Sequence, residues 1–169
     1  MCGVALRMIL QKGSGTPEKA YRTDISMLPA CRRLKAETFC QPNGVLSVIE
    51  ENRPVPFAMR RCFFLYDLKP GDVRGRHAAL NEQCVFLLSG ACSVFVHDGK
   101  TETVYRLREP MEGLYIPSSF WREIRDCTDN CMLAVFSDSP YDPAAYIRDF
   151  DVFVQTMAKK AGTESEAAT

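Results

Sequence analysis

The chain has 169 residues, 46% of them hydrophobic, with 21 Lys plus Arg set against 21 Asp plus Glu. That size and apolar fraction fit one compact domain, and a formal net charge of zero argues against the long-range positive field by which proteins collect nucleic acid, so any phosphate has to be gripped by individual arginines. No run approaches the ~18 apolar residues of a membrane span, and Met1 to Leu10 is too short and too weakly flanked for a secretory leader; no membrane partner and a cytoplasmic location are expected.

Residues 1–30 mix Gly13, Ser14, Gly15, Thr16 and Pro17 with no sustained periodicity and read as an N-terminal extension, partly flexible. The organised domain is expected over residues 31–162. Within it, short apolar runs are separated by turn signals at Gln41 to Gly44, Lys69 to Asp72, Asp98-Gly99, Glu109 to Gly113 and Asp126 to Asn130, the spacing of an all-β sandwich or barrel. Cys62 to Tyr66, Cys84 to Leu88 and Met132 to Phe136 are rich in Phe, Leu and Val and read as central strands. Cys92 to Val96 and Thr103 to Leu107 flank Asp98-Gly99, which suits the positive-φ positions of a tight hairpin. His97 is read as an exposed residue of that turn.

The period then changes. Asp142 followed by Pro143 is a helix start, and Tyr146, Phe150, Phe153 and Met157 recur at helical spacing until Gly162, so one packed C-terminal helix is expected, followed by a disordered tail over 163–169. The eight cysteines, at 2, 31, 40, 62, 84, 92, 127 and 131, form no CxxC pair, and several sit inside apolar runs. They read as buried reduced thiols rather than a disulfide framework or a zinc site.

The stretch with chemical content runs from Gly71 through His77, Ala79 and Gln83 to Gly90. It resembles the first cupin motif, in which an HxH pair on one strand aims two imidazoles into a barrel and a later carboxylate joins them. Here the second imidazole is Ala79, the carboxylate is Gln83, and Arg122 stands where the second motif places its histidine. One ligand position of four keeps a donor, too few for a divalent ion, so no metal and no cofactor are expected.

Phe57-Ala-Met-Arg-Arg-Cys-Phe-Phe, Arg74-Gly-Arg-His77, Gly113-Leu-Tyr-Ile-Pro-Ser-Ser-Phe-Trp-Arg-Glu123 and Tyr141-Asp-Pro-Ala-Ala-Tyr-Ile-Arg-Asp-Phe150 together resemble the nucleotide-sugar 3,4-ketoisomerase cupins over roughly residues 43–155. The resemblance implies a double-stranded β-helix, or jelly-roll barrel, with a C-terminal helix. It further implies a metal-free homodimer with exchanged N-terminal strands, acting on a dTDP-linked 4-keto-6-deoxyhexose in deoxysugar and surface-polysaccharide biosynthesis. His77 matches the family's motif histidine and is the expected proton-transfer base. Arg61, Arg74, Gln83, Tyr115, Trp121, Arg122 and Glu123 are the expected substrate-binding residues, with arginines suited to pyrophosphate or enolate charge. Trp121 is also read as core, and Arg122 with Glu123 as a cross-strand ion pair. The chain departs from the family at Ala79 and at Phe63, where relatives carry tyrosine; Tyr66 lies at odd offset from Phe63 and faces the other side of its strand. Those departures keep a second reading in view, a catalytically silent cupin that binds a nucleotide sugar as a sensor or pathway partner.

Overall fold

The computed structural model describes residues 30–166. The expected extension, apart from Ala30, lies outside the described residues, as do residues 167–169. The strands in chain order are β1 (Arg32–Lys35), β2 (Glu37–Gln41), β3 (Gly44–Val48), β4 (Glu50–Glu51), β5 (Pro54–Val55), β6 (Arg61–Leu65) and β7 (Arg74–Ala79). They continue as β8 (Gln83–Ser89), β9 (Cys92–His97), β10 (Glu102–Leu107), β11 (Glu112–Ile116), β12 (Phe120–Arg125), β13 (Met132–Ser137) and β14 (Tyr146–Ile147), and the helix α1 spans Phe150–Glu166.

Two five-stranded antiparallel sheets form the domain, with strand orders β1-β11-β8-β13-β6 and β10-β9-β12-β7-β14. This is the cupin jelly roll. Of the three runs read as central strands, β8 and β13 are interior to the first sheet, while the third, β6, pairs only with β13 and forms the sheet edge. The hairpin of β9 and β10 turns at Asp98-Gly99 as the sequence predicts: Gly99 has φ +102°, and Asp98 Oδ1 accepts bonds from the Lys100 and Thr101 amides, both at 2.7 Å.

Alternation along each strand sends one set of side chains between the sheets. Val85 and Leu87 of β8, Val94 and Val96 of β9, Leu114 and Ile116 of β11, and Leu133 and Val135 of β13 meet there, all at most 3% exposed. Burial of each such side chain is worth about 1.5–3 kcal/mol. A smaller apolar layer covers the outer face of the first sheet, where Phe86 and Cys84 pack under Val55 and Phe57. A third lies outside the second sheet, where Ala78 and Trp121 are roofed by Phe153 of α1.

The C-terminal region differs from the sequence expectation in two ways. Asp142 does accept a bond from the Ala144 amide with Pro143 in the first turn, but the result is a single 3-10 turn over Pro143–Ala145. The chain next pairs Tyr146 with Ala79 and Ile147 with Ala78 as the two-residue edge strand β14, and the helix starts only at Phe150. Its cap is Asp149, whose Oδ1 accepts from the Val152 amide at 3.0 Å. The physical reason is that β7 leaves an open edge whose amides and carbonyls have to be paired, and Tyr146 and Ile147 supply the partners. At the other end, α1 runs through Gly162 to Glu166, since one glycine costs a helix only ~1 kcal/mol.

Of the cysteines, Cys31, Cys84, Cys92, Cys127 and Cys131 are buried free thiols, while Cys40 and Cys62 are free but exposed. The latter two correct the reading of uniformly buried thiols; they lie on outward-facing strand positions of β2 and β6. Burial pushes the Cys31 thiol up to about 11 and those of Cys84 and Cys127 up to about 12.

Candidate active site

One end of the barrel interior is left open as a cavity of about 440 Å³. Its apolar walls are supplied by Phe63, Leu65, Val85, Val94, Ile116, Ile124 and Val135, and its polar groups are Arg61, His77, Gln83, Arg122, Tyr141, Tyr146 and Arg148. Among the described residues, three guanidinium groups and no carboxylate line it.

His77 is held by an irregularity in its own strand. β7 pairs with β12 as His77 opposite Arg122 and then Gly75 opposite Glu123, so Arg76 is an extra residue and the ladder bulges there. Gly75 has φ +88°, and a Cβ on it would lie 2.6 Å from the Arg122 carbonyl oxygen, so glycine alone fits. The bulge directs the Gly75 carbonyl to accept a bond from His77 Nδ1 at 2.9 Å. A carbonyl only accepts, so Nδ1 carries the proton and Nε2 is the basic nitrogen of a ring that lines the cavity. Burial first, then the charges of Arg122 and Arg148, push the His77 pKa down to about 4. The ring is therefore neutral over the physiological range.

Arg122 is 4% exposed and, among the described residues, reaches only uncharged oxygens: Gln83 Oε1 at 2.9 Å, the Phe120 carbonyl at 3.0 Å and the Pro117 carbonyl at 3.3 Å. Burial lowers its pKa to about 10, which still leaves it a cation. Gln83 is fixed in turn by donating from Nε2 to Asn81 Oδ1 at 3.2 Å. Arg61 donates to the Tyr146 hydroxyl at 2.8 Å, sits over the rings of Phe63 and Tyr141 at 4.9 and 5.4 Å, and keeps a buried Nε with no hydrogen-bond partner among the described residues. A guanidinium held mainly by ring faces retains donors for an anionic ligand.

Four of the residues expected to bind substrate do not line this cavity. Strand alternation separates Arg122, which faces inward with Ile124, from Trp121 and Glu123, which face outward. Trp121 is 6% exposed beneath α1, 5.0 Å from the Phe150 ring and 5.7 Å from Phe153, and donates from Nε1 to Glu123 Oε1 at 2.9 Å. Glu123 also takes the guanidinium of Arg125, so it is Arg125 and not Arg122 that forms its ion pair. Tyr115 lies on the outer face of the first sheet, donating its hydroxyl to Glu82, with Arg32 over its ring at 5.0 Å; burial pushes its phenol well above the usual range. Arg74 pairs with Ile124 and so shares the His77 face of the sheet across the bulge, but its side chain is exposed at the strand end.

Conversely, the cavity is lined by Tyr141, Tyr146 and Arg148, which sequence reasoning missed as site residues. Tyr146 was expected on the packed face of the helix; instead its ring meets His77 edge-on at 4.9 Å. The available signal was the alternation of Tyr146 and Arg148 at i and i+2, a strand period. His97 also differs from expectation: it is half-buried at the end of β9, its Nδ1 accepts from the Gly99 amide at 2.9 Å, and its ring packs edge-on against Phe150 and Phe153. Among the described residues no three His, Cys, Asp or Glu side chains converge in a way that would hold a metal ion.

The chain matches the family described as FdtA, WxcM-like, C-terminal, over residues 30–158. It belongs to this family of cupin sugar 3,4-ketoisomerases. Among curated relatives it is similar to TDP-4-oxo-6-deoxy-alpha-D-glucose-3,4-oxoisomerase from Aneurinibacillus thermoaerophilus, 36% identical over 117 residues that cover 69% of this chain and 84% of the relative. Among solved structures it resembles the WlaRB TDP-quinovose 3,4-ketoisomerase from Campylobacter jejuni, with TM-score 0.72, 35% identity and coverage of 76% of this chain and 99% of the other. It also resembles the sugar 3,4-ketoisomerase QdtA from Thermoanaerobacterium thermosaccharolyticum in complex with TDP, with TM-score 0.75, 28% identity and coverage of 79% and 98%. These relatives are isomerases, and the family membership makes this chain one by class.

Proposed function

We propose that the chain moves the carbonyl of a dTDP-linked 4-keto-6-deoxyhexose from C4 to C3, with His77 as the base that takes the C3 proton and returns it at C4. The observation that carries this reading is the His77 ring itself: Nδ1 is committed to the Gly75 carbonyl, which leaves Nε2 as the base, and the ring lines a cavity with three arginines and, among the described residues, no carboxylate. An imidazole kept neutral by burial accepts a proton without first losing one. When the ligand's phosphates approach Arg61, Arg122 and Arg148, their negative charge offsets two of the charges that depress His77, and its basicity rises as substrate binds.

Gln83, Arg61 and Arg122 are the proposed contacts inside the cavity. Arg74 is proposed only for the rim, and the protein is read as a homodimer working in the cytoplasm. A second reading, binding without turnover, is favoured by Ala79 and Phe63, which put carbon where the resemblance places an imidazole and a phenol. Proton NMR of dTDP-4-keto-6-deoxyglucose in heavy water separates the two. Loss of the C3 proton signal and growth of a 3-keto product with wild type, and neither with His77→Ala, is the expected result. Saturable binding without exchange would replace isomerisation with the silent reading. Sizing chromatography giving a monomer would remove the homodimer.

A further inference from the structure

Shifting a carbonyl along two adjacent carbons moves two protons, one from C3 to C4 and one from O3 to O4, and a single imidazole beside the carbons accounts for the first. We infer that the Tyr146 hydroxyl carries the second, as a further catalytic residue; this rests on the isomerase reading above. Tyr146 receives the 2.8 Å bond from Arg61, and its own O–H donates to no described residue. Its ring stands edge-on to His77 at 4.9 Å, and both residues line the same cavity.

The other candidates for this role fail on their surroundings. Phe63 has no proton to transfer. Tyr141 is 60% exposed at the mouth, in contact with water. Gln83 is occupied by Arg122 and Asn81, and arginine stays protonated throughout.

The step balances without any outside reagent. His77 Nε2 takes the C3 proton, the C3–H electron pair forms the C3–C4 double bond and the carbonyl electrons move onto O4 as an enolate; O4 then takes the Tyr146 proton in a separate step, giving the enediol. The phenolate left on Tyr146 lies 2.8 Å from the Arg61 guanidinium, which offsets its charge. It then takes the O3 proton as the C3 carbonyl forms, while C4 receives the proton held by His77. Both side chains finish as they began.

The test is Tyr146→Phe, which keeps the ring against His77 and removes only the hydroxyl. Exchange at C3 and conversion to the 3-keto sugar are followed together by NMR in heavy water, with TDP affinity as the control for the binding site. The expected result is TDP affinity unchanged within about 3-fold, conversion lowered about 100-fold or more, and C3 exchange lowered by no more than about 10-fold. The enolate then still forms and returns to substrate. Equal loss of exchange and conversion overturns the inference, because it marks a tyrosine that merely positions His77; conversion within about 3-fold of wild type overturns it as well. Neither exchange nor conversion in wild type overturns the isomerase reading, and the tyrosine role with it.

Discussion

Replacing Arg122 by glutamine should raise the pKa of His77. The His77 value of about 4 lies well below the ordinary 6.5, a gap equivalent to about 3.4 kcal/mol in favour of the neutral ring. Burial is the largest cause and Arg122 the second, so removing the charge moves the midpoint up from about 4 while burial keeps it below 6.5. The chain has two histidines. A His97→Gln background therefore leaves one imidazole Cε1 proton in the NMR spectrum, and its shift against pH gives the midpoint directly. Stability follows the same titration. The folded state resists protonation of His77, so its stability is unaffected by this group above about pH 6.5 and declines as pH falls from 6.5 toward 4. Because the ring is only half-buried, that loss is about 1–2 kcal/mol after solvent screening, and it should be smaller in Arg122→Gln. A wild-type midpoint near 6.5, or a variant midpoint unchanged or lower, would refute the picture of a base kept neutral by burial and a neighbouring cation.

Three other outcomes are expected. Gly90→Ala should destabilise the fold by about 2–3 kcal/mol in urea titration, because Gly90 has φ +74° and an added Cβ would lie 2.8 Å from the Cys131 backbone. Trp121→Phe should lower stability by about 1–3 kcal/mol, leaving Glu123 Oε1 without its donor, while conversion rates change by less than about 3-fold; a larger kinetic effect would return Trp121 to the pocket. Thiol titration should find eight reactive cysteines after denaturation, whereas in the native state Cys40 and Cys62 should react well before the five buried, up-shifted thiols, a difference that Cys40→Ser and Cys62→Ser would each reduce by one fast equivalent.

The barrel was legible in the sequence because strand runs and turn residues are local signals. Asp98-Gly99 names its own turn, and the run from Gly71 to Gly90 carries His77 on a spacing that survives the loss of its neighbours. The site was harder to read for two physical reasons. Trp121, Arg122 and Glu123 are contiguous in sequence, yet a strand divides them between cavity and outer face, so the motif could be recognised as a unit while its side chains could not be assigned as one. Tyr146 carried a helical spacing with Phe150 and Phe153, and Asp142-Pro143 supplied a sound start. What decided its conformation was the unpaired edge of β7, a partner nearly seventy residues earlier in the chain. Propensity has no access to such a contact. The bulge at Gly75 was equally hidden, although it orients the imidazole: glycine permits it, and the pairing with β12 demands it.

The two residues of β14 look in opposite directions, and that ties the far side of the sheet to the cavity. Tyr146 stands among the pocket groups, while Ile147 joins Ala78, Trp121 and Phe153 beneath α1. Undocking of the helix therefore withdraws part of the cavity wall, and a ligand that engages Tyr146 adds its binding energy to the docked state. Amide hydrogen exchange in α1 thus becomes a gauge of cavity occupancy, slowing as ligand fills a pocket the helix itself does not line.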